Sequence, residues 1–203
     1  MTPLSPDDLT IAVLAGGQSR RMGQEKSFVS LRGKPMIRHT LERVQRLGAP
    51  VILLTNQPEA YQTLGVSLFG DVQPLRGSLV GLHSALIHSS TPYTLCVACD
   101  MPLLNVDLLR HLITLREGVD AVVPRIRQRP ESLHAVYHHR CLAAIESQIE
   151  REEMRISRLF DNLRVRYVSE AEVRSFDPDL RSFANANTPE ELAAIESLLE
   201  TGL

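Results

Sequence analysis

No apolar run in this sequence approaches the roughly 20 residues that a membrane-spanning helix needs. The opening Met1-Thr-Pro-Leu-Ser-Pro-Asp-Asp-Leu9 is acidic and proline-bearing, unlike a secretory signal, so the expected location is the cytoplasm. A dominant charge is missing too: 22 basic residues face 24 acidic ones, which leaves no global field for nucleic acid or an anionic membrane. Cysteine is scarce. Three residues make no disulfide framework, and Cys96 and Cys99, though spaced C-x-x-C, fall in an apolar strand pattern that turns them to opposite faces. Cys141 is remote and brings no fourth ligand, so all three read as small buried hydrophobes rather than a metal or redox site. The seven histidines show no metal-binding spacing.

Two familiar phosphate loops are also absent. Glycines at 16, 17 and 23 fit neither G-x-G-x-x-G nor G-x-x-x-x-G-K-[ST]. What stands in their place is Ile11-Ala-Val-Leu-Ala-Gly-Gly-Gln-Ser-Arg-Arg-Met-Gly-Gln-Glu-Lys26, an uncharged run that breaks at a glycine pair into a cationic loop. Residues 11 to 15 suit a strand covered on both faces. Without side chains, Gly16 and Gly17 let the backbone approach a ligand closely, with N–H groups aimed at an anion. Arg20, Arg21 and Lys26 add the positive charge that a triphosphate requires. A plain tight turn beside solvated arginines is the competing reading, and the length and charge density of the loop weigh against it.

Strands and helices then alternate, which predicts an α/β fold with a mostly parallel sheet. Ser27–Leu31 is a short strand candidate, and Pro35 starts a helix whose apolar positions are Met36, Ile37, Thr40, Leu41, Val44 and Leu47. Strands follow at Val51–Leu54, Val66–Phe69, Tyr93–Asp100 and Gly118–Pro124, with Ser78 as the N-cap of a helix between the second and third of these. In such sheets ligands sit beyond the carboxyl ends of the strands, so Thr55, Asn56, Asp71 and Asp100 point to one region. Asp71 could cap a turn, or bind a base or ribose. Asp100 ends a buried strand just before Pro102. An unpartnered buried carboxylate costs several kcal/mol, and a magnesium ion bridging phosphates is the natural partner, since that ion takes one or two protein carboxylates. The alternative for Asp100 is an N-cap for the next helix.

Farther on, Arg125, Arg127 and Arg129 alternate and would lie on one side if extended, where an anionic acceptor could dock; a solvated row is the competing reading. Phe183–Leu192 is expected to cross from strand to helix, with Thr188 and Glu191 as a capping box. Asn185 and Asn187 precede that cap. They serve either turn chemistry or an amide oxygen that shares the magnesium or a phosphate with Asp100.

Leu14-Ala-Gly-Gly-Gln-Ser-Arg-Arg-Met-Gly-Gln-Glu-Lys26 resembles the signature loop L-A-G-G-x-S-x-R-M-G-x-[DE]-K of nucleotidyltransferases, most closely the molybdenum cofactor guanylyltransferases. The resemblance runs from about Ile11 to Leu199 and includes C-D-x-P at Cys99–Pro102, Pro130–Tyr137, and Asn185–Leu192 with only Ala186 departing. Glu25, where aspartate is commoner, and Ser78, where the family loop has proline, also depart. The resemblance implies a Rossmann-like three-layer α/β/α sandwich of the glycosyltransferase-A or nucleotidyltransferase type. It forms one domain over residues 1–203: a flexible tail at 1–9, a nucleotide-binding half at roughly 10–104, and an acceptor-binding half at roughly 105–203. It further implies that Leu14, Ala15, Gly16, Gly17, Lys26, Thr55, Asn56, Asp71 and Asp100 bind the nucleotide, with Gly77 and Gly81 in the loop over guanine. Arg21, Lys26 and Asp100 are the catalytic groups, Asp100 and Asn187 the magnesium ligands, and Arg125, Arg127, Arg129 and Asn185 the acceptor contacts.

The implied reaction is in-line attack on the α-phosphorus of GTP by the terminal phosphate of molybdenum-molybdopterin, releasing pyrophosphate. Partners from cofactor biosynthesis or molybdoenzyme chaperones would fit such a product; nucleic acid and membrane would not. Three alternatives stay open: a cytidylyltransferase of the same pathway, separated by one residue of the Leu14-Ala-Gly-Gly17 motif; a sugar-phosphate nucleotidylyltransferase; and a nucleotide-binding regulatory module without turnover.

Overall fold

Residues 9 to 14 carry no charge and form an interior strand of the main sheet, with all six residues buried. The computed structural model describes residues 8–16, 26–185 and 188–200. Within them the strands are β1 (Leu9–Leu14), β2 (Ser30–Leu31), β3 (Lys34–Pro35), β4 (Val51–Leu54), β5 (Ser67–Phe69), β6 (Tyr93–Ala98), β7 (Ala121–Ile126), β8 (Arg129–Pro130), β9 (His134–His138) and β10 (Val165–Ser169). The helices are α1 (Met36–Gln45), α2 (Pro58–Tyr61), α3 (Ser78–His88), α4 (Val106–Thr114), α5 (Leu142–Glu150), α6 (Ile156–Leu159), α7 (Glu170–Arg174) and α8 (Pro189–Glu200).

The main sheet has the order β10-β7-β9-β6-β1-β4-β5, with β8 paired to β7. β1 is parallel to both its neighbours, β4 to β5, and β7 to β10. The expected mostly parallel sheet is therefore present, with β9 as its reversed member, antiparallel to β6 and β7. The reversal follows from chain length. A parallel return needs a dozen or more connecting residues, whereas only residues 127–133 separate β7 from β9. Because β9 reverses between them, β6 and β7 run the same way, and the carboxyl ends of β1, β4, β5, β6, β7 and β10 share one edge.

Alternation along the strands loads both faces of the sheet. Ile11 and Val13 join Ile37, Leu41 and Val44 of α1 and Leu108, Leu109 and Leu112 of α4 on one side. Ala12 and Leu14 join Leu79, Leu82 and Leu86 of α3 and Ile145 and Ile149 of α5 on the other. Each fully buried aliphatic side chain contributes about 1.5–3 kcal/mol, so the three-layer α/β/α arrangement is fixed by these two apolar interfaces. Cys96 is buried in the second cluster and Cys99 packs against the first, on opposite faces as the spacing predicts. No helix among the described residues is long and apolar enough to cross a membrane.

Several boundaries differ from the sequence reading. The first strand begins at Leu9, which is 3% exposed, so residue 9 belongs to the sheet rather than to a tail. Residues 26–28 form a 3₁₀ turn instead of a strand, and only Ser30 and Leu31 pair, across Arg32 and Gly33, with Lys34 and Pro35. Both turn residues have positive φ, 52° and 75°, the geometry of a two-residue hairpin. The strand expected at 118–124 begins only at Ala121, because Gly118 takes a left-handed φ of 75°. Ser78 lies inside α3, whose N-cap is Gly77. Phe183 ends a 3₁₀ turn, not a strand.

The carboxyl-terminal helix docks where the site will need it. Thr188 and Glu191 form the expected capping box, each backbone N–H donating to the other's side chain at 3.1 and 3.2 Å. Ile195 then packs with Leu31, Met36 and Leu103, and Arg32 donates to the Leu199 carbonyl at 2.7 Å.

On the opposite flank, Arg166 donates to both oxygens of Glu172 at 3.0 Å and His111 lies 2.9 Å from the same carboxylate. Burial raises the Glu172 pKa, but these hydrogen bonds more than offset it and hold the group below its ordinary 4.5. A carboxylate held low adds stability above its unfolded pKa and loses it as the pH falls through the folded one. Glu172→Gln should therefore lower the thermal midpoint at pH 7 and converge with the parent protein as the pH drops below 4.5; an equal gap at both pH values would assign the loss to packing.

Candidate active site

The parallel strands deliver four chain segments to one edge in a single row. Leu14 is in register with Leu54 and with Ala98, and Leu54 with Phe69. The ladder then runs one residue past the strand ends: Ala15 N–H donates to the Leu54 carbonyl at 2.8 Å, Thr55 N–H to Phe69 at 2.7 Å, and Cys99 N–H to Leu14 at 3.0 Å. Gly16, Asn56, Asp71 and Asp100 follow directly from that row.

Asp100 is half-buried in the turn after β6. Helix α4 has its own cap, since Asn105 Oδ1 accepts from Asp107 and Leu108 N–H at 3.0 and 2.9 Å. That removes the N-cap reading of Asp100. The preceding residue is held on three sides: Cys99 N–H by Leu14, the Cys99 carbonyl by Thr40 Oγ1 at 3.1 Å, and Cys99 Sγ by Ser27 Oγ at 3.3 Å. Ser27 is buried and also receives the Tyr61 hydroxyl at 3.0 Å. The residue after Lys26 thus touches the residue before Asp100, so the end of the cationic loop and the acidic turn are neighbours. Gly17, Arg20, Arg21 and Asn187 lie outside the described residues.

Asp71 and Asn56 clamp each other across the ends of β4 and β5. Asp71 N–H donates to Asn56 Oδ1 at 2.9 Å, and Asn56 Nδ2 donates to Asp71 Oδ2 at 2.7 Å. This link orients the carboxylate from outside its own turn, unlike an ordinary turn cap. Thr55 is buried and its hydroxyl accepts from Gln57 N–H at 3.1 Å.

The glycines serve different ends. Gly16 is exposed, and a Cβ there would meet nothing within 4 Å among the described residues. Gly77 has φ of 142°, a conformation that L side chains rarely adopt. A Cβ on Gly81 would come within 2.9 Å of Leu14 Cδ2. Gly81 is therefore a contact glycine between α3 and β1, and the Leu14 side chain is committed to that packing.

The arginine row does not survive as a row. Arg127 and Gln128 have φ of 48° and 65°, so the chain reverses there and the three arginines fan around a hairpin instead of sharing one extended face. Arg125 alone is held on the main sheet path, at the carboxyl end of β7, its guanidinium 3.7 Å from the Tyr167 ring centre. Its Nε is buried without a hydrogen-bond partner. Arg127 N–H is tied to Glu170 Oε2 at 3.0 Å, and Arg129 is exposed.

Asn185 Oδ1 is buried with no hydrogen-bond partner among the described residues. Two residues earlier, Phe183 packs its ring 4.6 Å from that of His134, which is fully buried and held neutral, its pKa lowered to about 4 by burial.

The segment Pro130–Tyr137 belongs to the family resemblance, but the sequence assigned no role to Glu131 or Ser132 within it. Ala98 N–H donates to the Leu133 carbonyl at 3.2 Å, so Glu131 and Ser132 border the same edge as Asp100. Burial raises the Glu131 pKa, opposed by Arg129. Nothing in the local pattern signals this placement, because it depends on β9 running backwards. Met154, against Gly77, was also missed for want of any local signal.

The family profile described as MobA-like NTP transferase domain matches residues 11–167. A molybdenum cofactor guanylyltransferase from Desulfosudis oleivorans is 37% identical over 198 residues, which covers 97% of this chain and 98% of that one. A probable molybdenum cofactor guanylyltransferase from Peptoclostridium acidaminophilum is 33% identical over 187 residues, 89% of this chain and 85% of the relative. The crystal structure of molybdopterin-guanine dinucleotide biosynthesis protein A from Archaeoglobus fulgidus superimposes with a TM-score of 0.82 at 30% identity, covering 95% of this chain and 99% of the other.

Two glycine replacements separate packing from space. Gly81→Val should cost about 1–3 kcal/mol by overpacking against Leu14. Gly16→Ala should leave the urea midpoint within error of the parent protein; a large fall there would mean that Gly16 is required by the fold itself.

Proposed function

This chain belongs to the MobA-like NTP transferase family, and from that premise we propose that it transfers GMP from GTP to the terminal phosphate of molybdenum-molybdopterin, releasing pyrophosphate. The observation that carries the proposal is the Ser27–Cys99 contact, which joins the end of the signature loop to the acidic turn of Asp100. One triphosphate could then meet cationic donors and a carboxylate supplied by distant parts of the sequence. Residues of roughly 10–104 would hold the nucleotide and those of roughly 105–203 the acceptor, within a single domain. The cytoplasm, where GTP is available, is the setting we infer.

The attacking phosphate oxygen is already an anion, so no general base is needed. The barrier is electrostatic and positional, because two polyanions must be brought together in line. The Gly16 and Gly17 N–H groups, Arg21 and Lys26 would neutralise the β- and γ-phosphates and the departing pyrophosphate. Asp71, oriented by Asn56, offers a carboxylate to the donors of a guanine edge or to ribose hydroxyls. Arg125, backed by Tyr167, is the best-supported acceptor contact, since a guanidinium recognises phosphate through paired donors.

The donors on this chain suit magnesium, a hard cation that needs few protein ligands when phosphates supply the rest. Asp100 would hold it together with Asn187, or with the orphaned Oδ1 of Asn185. When bound, it would supply charge neutralisation for the triphosphate. Among the described residues no cluster of three or more acidic, histidine or cysteine ligands forms a metal site, in keeping with an ion carried largely by the nucleotide.

Asp100→Asn should abolish pyrophosphate release while the thermal midpoint is retained; turnover in a folded Asp100→Asn protein would remove Asp100 from the chemistry. Lys26→Ala should lower kcat by a factor on the order of 10², as loss of a transition-state donor does. An effect confined to KM would make Lys26 a binding contact instead. Pyrophosphate release with magnesium and molybdenum-molybdopterin, compared for GTP, CTP and ATP, tests the nucleotide: preference for CTP would make the chain a cytidylyltransferase, and GTP binding with no transfer would make it a regulatory module.

A further inference from the structure

Helix α5 buries three side chains, Ile145, Gln148 and Ile149. Two are aliphatic, as a core-facing stripe requires. Gln148, 1% exposed, is the polar exception. An amide in that position forfeits the apolar burial that leucine would gain, and it must be fully hydrogen-bonded to be tolerated. Its Nε2 donates twice, to the Glu153 carbonyl at 2.6 Å and to the Arg155 carbonyl at 2.8 Å. Its backbone carbonyl accepts from Glu153 N–H at 3.0 Å.

These bonds pin an otherwise exposed turn. Helix α5 ends at Glu150, Glu152 just beyond it has a left-handed φ of 59°, and residues 151–153 are exposed. Met154 sits between the two carbonyls that Gln148 holds, and its Cε lies 3.8 Å from where a Cβ on Gly77 would be. Gly77 is the N-cap of α3 and the end of the loop Gln73–Gly77. The buried amide therefore fixes the backbone on both sides of Met154, whose side chain reaches the space beside Gly77, the end of the loop read above as the one that covers the base.

We propose that Gln148 is a positioning residue for nucleotide selection: by holding Met154 against Gly77 it fixes the base-covering loop and so sets affinity for GTP and discrimination against ATP. This rests on the reading of that loop as the base contact. Gln148 touches neither nucleotide nor acceptor and acts only through Met154.

The test is steady-state kinetics of the full chain with magnesium, saturating molybdenum-molybdopterin, and either GTP or ATP. Gln148→Met keeps the volume and removes both donors. It should raise KM for GTP about five-fold with kcat little changed, and narrow the preference for GTP over ATP. Met154→Ala should do the same, Met154→Leu should largely retain the parent KM, and the Gln148→Met/Met154→Ala pair should be no worse than either change alone. A folded Gln148→Met protein with unaltered KM, or effects that simply add, would overturn the proposal. If Gln148→Met fails to fold, Met154→Ala decides alone, and an unchanged KM for GTP again overturns it. Gly77→Ala separates the two layers of argument. Should it leave KM for GTP untouched, the base-loop reading fails; should it raise KM while Gln148→Met does not, only the role of Gln148 fails.

Discussion

The hydrogen bond from Cys99 N–H to the Leu14 carbonyl, 3.0 Å long, joins two strand ends that lie 85 residues apart in the sequence. It is the last rung of the parallel β1–β6 ladder, and it places the glycine loop and Asp100 side by side. Parallel pairing makes this possible, because neighbouring strands that run the same way finish at the same edge. Ala15 and Thr55 repeat the rung on the other side of β1, and the Asn56–Asp71 clamp ties the next residues together. Two packed apolar faces hold the strands in this register, so the site depends on the whole core.

The chemistry proposed for this edge is a charge problem, and the residues around it are arranged accordingly. Carboxylates enter on the turns after β5 and β6, and Arg125 at the end of β7, over the face of Tyr167. Among the described residues, Arg125 Nε and Asn185 Oδ1 are buried without hydrogen-bond partners, which costs free energy.

Much of this was legible in the residues. The apolar runs of β1, β4 and β6, the spacing of α1, the capping box at Thr188 and Glu191, and the strand-end positions of Asp71 and Asp100 follow from local patterns with strong physical causes. The signature loop carried the family resemblance because its glycines and cations keep a fixed spacing. What was misread involved positions where local preference yields to dihedral or tertiary constraint. The arginines at 125, 127 and 129 look like one face only while the chain is taken as extended, and the left-handed residues at 127 and 128 turn it back. Ser78 has the chemistry of an N-cap, yet Gly77 occupies that place with a backbone that few other residues adopt.

The sequence by itself determined most of the segments that form strands or helices, which acidic residues stand at the strand ends, and which family the signature loop resembles, since these depend on periodicity and on spacing along the chain. Only the tertiary structure decided that β9 runs against its neighbours, that Ser27 meets Cys99, that Gly81 packs closely against Leu14, and that Met154, on a turn held by Gln148, lies beside Gly77. Each of those facts is a contact between side chains or strands far apart in sequence, and no local pattern encodes the direction in which the chain returns.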